Sequence, residues 1–233
     1  MDNQPEVIDT STITTVVGVL AQLMQLDSQL NSLELDQFKL FNRAYQVVTR
    51  SMVQAIKDDY FKNPEVIEKF MVTFADYYFK AVSGTMSGAV DVAPPWLKLN
   101  DYATNRSAPV FISLMLGANA HINNDLPQAL KILMQQEQAK DLVGDLLKID
   151  KLLMKSGKEI IGLFEEKNRF LDFLKRRFQF LYYRPAMYTI RYWRIIAWKN
   201  YQKLAKDDAA QAYITDRSVK IANRLLFVAR MLG

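Results

Sequence analysis

The chain has no cysteine and one histidine, His121, among its 233 residues. Without cysteine there is no disulfide framework, no thiolate nucleophile and no sulfur-ligated zinc or iron–sulfur site. With one histidine there is no histidine-rich metal centre. Glycine and proline number only 8 and 7, too little punctuation for an all-β chain built on turns. Long apolar runs are missing too. The stretch from Ile13 to Met24 is short and interrupted by Thr14, Thr15 and Gln22, whereas a spanning helix needs roughly 20 mostly apolar residues. The opening MDNQPEVIDT is acidic and lacks the basic start of a secretory signal, so a cytoplasmic protein is expected. Phosphate-binding glycine loops, the Gly-x-Ser-x-Gly elbow, His-Glu-x-x-His and the aspartate-rich motifs of isoprenoid synthases are all absent. The sequence therefore names no reaction, leaves open whether the protein is an enzyme, and calls for no cofactor.

What is present is material for a core. Half of the residues are hydrophobic and 24% are charged, which suits one well-buried domain and excludes a disordered chain. The apolar positions recur with helical spacing. From Ser11 or Thr12 onward, Val16, Val17, Leu20, Leu23, Met24 and Leu30 form one stripe. A second helix is predicted from about 35 to 58, with Phe38, Phe41, Tyr45, Val48, Met52 and Ile56 on its apolar face. Asn63-Pro64-Glu65 reads as N-cap, first helical residue and first-turn acid. The helix it opens carries Phe70, Phe74, Tyr77 and Tyr78 and fades near Gly84 or Gly88. Residues 83–105, with Gly84, Gly88, Pro94, Pro95 and Trp96, read as a long connection. Another helix runs from about 105–109 through His121, with a kink or break at Pro127. Four pieces follow, roughly 127–155, 157–183, 185–206 and 207–231, Arg184-Pro185 marking a boundary. No stretch alternates with period two. The prediction is all-α: a single domain over 1–233, a bundle of seven to eight helices around a central apolar helix.

That central helix carries the chemistry. In Pro109 to Leu130, apolar residues cover nearly the whole circumference, as in a helix buried on every side. Set into it are Asn119, His121, Asn123, Asn124 and Asp125. Asn119 and Asn123 share a face with Ile122 and Leu126, while His121 and Asp125 lie roughly opposite, beside Leu114 and Ala118. Buried polar groups need partners from neighbouring helices or from a ligand. One reading makes His121 a general acid or base held by Asp125, with Asn119 and Asn123 binding a ligand. The other makes the set a satisfied hydrogen-bond network where a buried helix ends. A metal would need further carboxylates, Asp76 being the conceivable one, and none is expected. Asn42, Tyr45 and Thr49 fall on one face of the second helix and, with Tyr78 of the third, are positioned to satisfy Asn119 and His121, either as ligand-binding residues of a small-molecule site between helices or as a structural network. Glu137, Asp141 and Asp145 form an acidic ridge that nearby Lys140 and Lys148 mark as exposed.

Four elements carry a resemblance. They are Phe41, Asn42, Tyr45 and Thr49 in Phe-Asn-x-x-Tyr-x-x-x-Thr; Phe74, Ala75, Tyr78 and Phe79; Pro94, Pro95 and Trp96; and Asn119 to Leu126 in Asn-Ala-His-Ile-Asn-x-Asp-Leu. The run from Phe41 to Leu126 resembles an uncharacterised bacterial family of all-helical proteins, a domain of unknown function. The resemblance implies that this polar set is a family feature. It assigns no activity, and beyond Leu130 it is not carried by any motif.

The net charge of +5 is uneven. Residues 1–166 hold 15 Lys/Arg against 21 Asp/Glu, and residues 167–206 hold 11 against Asp172 alone. Aromatic residues interleave those bases, including Tyr188, Tyr192, Trp193, Trp198 and Tyr201. Such a segment suits nucleic acid, an anionic membrane surface or an anionic ligand; it equally suits a core helix whose bases neutralise an acidic body. No named nucleic-acid motif is present, so nucleic acid is disfavoured, and membrane contact would be peripheral. Arg191, Arg194 and Trp198 share a face, making the two arginines candidate anion anchors. The leading expectation is a small-molecule site with His121 and Asp125 at its centre. The rival is a non-catalytic protein docking an acidic partner or surface through 167–206. The sequence does not set the oligomeric state.

Overall fold

Capping chemistry and apolar stripes set the elements in turn. The computed structural model describes residues 8–89, 91–103, 110–137, 141–163 and 169–232, the side chains of 161, 169–184 and 232 excepted. After a 3-10 turn at Thr10–Thr12, the Thr15 hydroxyl accepts from Gly18 N at 3.0 Å and starts α1, Val16–Ser32. Helix α2, Asp36–Lys57, has an acid in its first turn and a base in its last, matching its dipole. Helix α3, Pro64–Ser87, ends on Gly88, whose φ of 68° is the left-handed cap glycine adopts without strain. Then come α4, Pro94–Ala103, and α5, Val110–Asn119. A π-helical segment, Ala120–Asp125, leads without a break into α6, Leu126–Gln136. The chain finishes with α7, Leu142–Gly162, α8, Arg169–Leu204, and α9, Ala210–Leu232. The described residues contain no strand, and α5, the π segment and α6 form one rod, so the helical rods number eight. The fold is all-α, as the periodicity predicts.

The central apolar helix is α5. Every residue from Ile112 to Asn119 is buried, and the helix packs against α2, α4 and α9. Gly117 permits the approach of α2: a Cβ there would lie 2.7 Å from Cγ of Phe41. The π segment continues the same line of burial and meets α3, α4, α8 and α9.

Several boundaries differ from expectation. The 83–105 connection contains a helix, α4, because Pro94 and Pro95 occupy its first turn, where a missing N–H costs nothing. Residues 127–155 are not one helix. Helix α6 ends at extended Glu137, and α7 then runs past Ser156 and Gly157 to Gly162. Helix α7 ends at Gly162, inside the expected 157–183 piece, and residues 164–168 lie outside the described set. Arg184-Pro185 is no boundary, since α8 passes through Pro185. Met187, Ile190, Trp193 and Ala197 make a buried stripe on α8, which packs on α6 and the π segment. That tertiary packing outweighs the one backbone bond Pro removes.

The start of α3 shows a second override. Asn63 occupies the N-cap position, yet its side chain makes no cap bond. Asp145 of α7 supplies it instead, accepting from Lys62 N (2.9 Å), Asn63 N (2.8 Å), Asn63 Nδ2 (3.0 Å) and Lys148 Nζ (3.0 Å). Asp145 is therefore buried rather than part of an exposed ridge. Burial pushes its carboxyl up, but these donors outweigh that and hold it below the usual carboxylate range. No helix among the described residues is long and apolar enough to cross a membrane.

Candidate functional site

The π segment explains how five polar side chains are crowded into a core helix. Pro127 has no N–H, and in an α-helix its ring would clash with the carbonyl four residues back. The widened turn relieves this, Leu126 N donating five residues back to the His121 carbonyl. Gln128 Nε2 donates to the Asn124 carbonyl at 3.0 Å. All six residues, Ala120–Asp125, are buried. Wide turns of this kind are rare and concentrate at functional sites.

The polar set divides into two clusters on opposite sides. On one, Asn123 Nδ2 donates to Asn119 Oδ1 at 3.0 Å, and Asn119 Nδ2 donates to the Ser218 carbonyl of α9 at 3.0 Å. On the other, His121 Nδ1 lies 3.2 Å from Asp125 Oδ2. The same oxygen accepts from Trp96 Nε1 of α4 at 2.9 Å, and Asp125 Oδ1 accepts from Asn124 Nδ2 at 2.8 Å. Thr215 of α9 donates to Asn124 Oδ1 at 2.8 Å and completes the chain. With Trp96 N–H and the Asn124 amide both donating to it, Asp125 is an acceptor, which places the imidazole proton on Nδ1.

The imidazole is held on its faces as well. It stacks on Phe74 with centroids 3.6 Å apart and planes 9° from parallel. Tyr45 lies 4.9 Å away and Phe41 5.7 Å. Burial drives the His121 pKa below its ordinary value; Asp125 opposes this and the charge of Arg194 adds to it. The ring is therefore neutral at pH 7, with a lone pair on Nε2. That nitrogen and the Tyr45 hydroxyl are buried and have no hydrogen-bond partner. Burial chiefly, and the Asp125 charge next, push the Tyr45 hydroxyl well above the usual range, so it stays a donor.

Both residues line a half-open cavity of about 90 Å³ between α2, α3, α5, α7 and α8. Its wall is otherwise apolar, with Val48, Leu114, Ile149 and Ile190 among the lining residues, except for Arg194. Arg194 donates through Nε to Asp150 of α7. On the other side of the dyad, Asp125, Asn124 and Trp96 reach the floor of an open cleft between the 3-10 turn and α3. Tyr77 lines that cleft and is pushed up to about 12 by burial and by the nearby Asp125 charge.

The structure thus brings together His121, Asp125, Tyr45 and Arg194. It separates the rest. Asn42 Nδ2 donates to the Leu23 carbonyl at 2.9 Å, and its Oδ1 accepts from Tyr78 at 3.3 Å. That pair fastens α1, α2 and α3 and satisfies neither Asn119 nor His121. Thr49 is buried, its hydroxyl unpartnered, and does not line the cavity. Arg191 is exposed and lies off the cavity. Asp76 pairs with Lys80 at 2.6 Å, and the described residues hold no cluster of three potential metal ligands. Phe74, Trp96 and Thr215 are site residues that sequence spacing does not reveal, although Phe74 and Trp96 stand in the resemblance motifs. A buried indole N–H that needs an acceptor was the available signal for Trp96.

No curated protein and no solved structure matches the chain. The family match is broader than the motifs suggest, extending over both flanks of the Phe41 to Leu126 run and taking in α1, α7, α8 and α9. Across residues 16–232, the chain belongs to DUF5995, a family of unknown function.

Proposed function

We propose that the protein binds a small molecule in the cavity beside His121, and that His121 is its acid–base group. The observation that carries this reading is the unpartnered Nε2 of a neutral, buried imidazole whose residue lines the cavity. A buried polar atom left unsatisfied costs about 1–3 kcal/mol, and a bound polar group recovers that cost. Asp125 fixes the tautomer, Phe74 fixes the ring plane, and Tyr45 presents a donor to the same space. Nε2 accepts a proton from a bound hydroxyl or acid and returns it, with Asp125 stabilising the imidazolium between the two steps. Because the chain has one histidine, its imidazole nitrogens give one resolved pair of NMR signals. Titration with a panel of alcohols, amides and acids of up to six heavy atoms should shift Nε2 in the wild type. Ala118→Leu, which fills the cavity, should abolish the shift and leave the fold intact. A panel that leaves Nε2 unmoved, or moves it equally in Ala118→Leu, overturns the reading.

A second observation favours an interaction role for another surface. Tyr192 of α8 and Tyr213 of α9 wall a groove of about 590 Å³, with Arg217, Lys220 and Arg224 along α9 and Asp216 the lone acid. Tyr188, Ile195, Phe227 and Met231 are exposed on the same two helices. The charge suits an acidic amphipathic helix of a partner protein, apolar face inward. It opposes a two-fold pairing of this face with itself, which would set like charges together. A Glu/Leu helical peptide that binds more weakly as salt rises, and loses binding on Arg217→Glu with Arg224→Glu, supports this docking. Equal affinity for a Lys/Leu peptide, or binding only to anionic vesicles, refutes it.

A further inference from the structure

The polar groups around the cavity also constrain the class of its occupant, on the reading that the His121 cavity is a binding site. We propose that the occupant is a short aliphatic hydroxy acid, its hydroxyl between His121 Nε2 and the Tyr45 hydroxyl and its carboxylate on Arg194. Size comes first. A dry cavity of about 150 Å³ admits benzene, so the cavity of about 90 Å³ here takes a chain of about three carbons. Walls made of Val48, Leu114, Ile149 and Ile190 suit an alkyl chain.

Polarity comes second. His121 Nε2 offers a lone pair, because its proton sits on Nδ1 against Asp125. Tyr45 offers a proton, because its hydroxyl is buried beside a carboxylate. One ligand group that donates to the first and accepts from the second is an alcohol hydroxyl; an ionised carboxylate alone lacks the proton that Nε2 needs. Charge comes third. Arg194 is the only charged residue lining the cavity among the described residues. Its guanidinium has five N–H donors, and Asp150 takes Nε. The Arg194 side chain is 13% exposed and that of Asp150 38%, so the pair reaches solvent, and Arg194 also lines the cavity. A carboxylate arriving there meets an arginine whose present counter-ion is partly solvated, and Arg binds carboxylates in forked, two-bond geometry.

Three probes separate the parts on the wild-type protein: lactate, propionate and 1,2-propanediol. Lactate should bind at least tenfold more tightly than propionate, which lacks the hydroxyl, and than propanediol, which lacks the carboxylate. Each affinity is read from the His121 Nε2 shift. Arg194→Met should weaken lactate at least tenfold and leave propanediol unchanged, and Arg194→Lys should restore part of the loss. Tyr45→Phe should weaken lactate and propanediol together. If propanediol binds as tightly as lactate, or Arg194→Met leaves lactate unchanged, the hydroxy-acid assignment falls while the cavity stands. If none of the three probes and no member of the wider panel moves Nε2, the cavity reading falls with it.

Discussion

Two aspartates are buried among the described residues, and they are used differently. Asp145 takes four donors, two of them backbone N–H groups at the start of α3, and its neighbours are left with nothing unsatisfied by it. Asp125 takes three donors, one of which is a histidine whose other nitrogen stays unpaired at a cavity. Both obey the rule that a buried charge is hydrogen-bonded. The first closes its network on the backbone and ties α7 to α3. The second passes its charge through an imidazole to a space large enough for a ligand. A closed network is sufficient for a structural role; the open one leaves an acceptor unused, and the proposed binding rests on that acceptor.

The largest effect should fall on the closed network. Asp145→Ala removes the acceptor of two backbone N–H groups and of the Asn63 amide and breaks the ion pair with Lys148, and should lower the unfolding free energy by about 4 kcal/mol. Urea denaturation measures this. Ligand-induced shifts at His121, once a ligand is known, should be unchanged by it. Asp125→Ala should cost about 2 kcal/mol, since Trp96 and Asn124 lose an acceptor while His121 is free to change tautomer. That variant should also move the imidazole proton, which nitrogen chemical shifts report directly. If Asp125→Ala proves the costlier of the two and leaves the tautomer as it was, the contrast between the two networks collapses.

Much of this contrast was legible in the sequence, and the remainder was not for physical reasons. His121 and Asp125, like Asn119 and Asn123, stand one turn apart, so spacing alone pairs them. The stripes of α1 and α2 and the proline start of α3 follow from period and capping in the same way. Spacing says nothing about Trp96, Thr215 or Ser218, which reach the π segment from helices distant along the chain. Asp145 was misread as exposed because lysines nearby in sequence do not reveal that its partners are Lys62 and Asn63. Pro185 looked like a boundary because local propensity was weighed without the buried stripe that carries α8 through it. The charge split pointed to 167–206, yet the bases of the described groove belong to α9. There Asp216 and Arg217 cancel in a sum while occupying different places on the helix.

The next effect tests the space itself. Gly117→Ala would set a Cβ 2.7 Å from Cγ of Phe41. In a filled core such a contact costs typically 1–3 kcal/mol. Phe41 lines the cavity, but its Cβ, at 2.9 Å, is among the atoms met, so ring rotation alone does not relieve the contact and the cost should be about 2 kcal/mol. The displaced ring should occupy the cavity and abolish any ligand-induced shift at His121. A cost above about 3 kcal/mol, or ligand binding that survives, would show that the cavity is not coupled to α5 in this way.

The smallest effect is a difference in pH dependence, and its sign separates the two networks. Burial lowers the His121 pKa in the folded state below the ordinary 6.5, so below that pH the unfolded chain binds more protons than the folded one. Stability is then full above 6.5 and declines as the pH falls from 6.5 toward the depressed folded value. Asp145 has a folded pKa below 3.8; its contribution is full above 3.8 and is lost only as the pH falls through that lower range. Denaturant unfolding between pH 7.5 and 5 should therefore show a decline in the wild type that His121→Gln reduces. Asp145→Asn, less stable throughout, should keep the wild-type slope across that window and differ in slope only in stronger acid. A wild-type curve that is flat from pH 7.5 to 5 would mean that the imidazole takes up its proton without penalty. That outcome would remove the neutral, lone-pair form on which the open network rests.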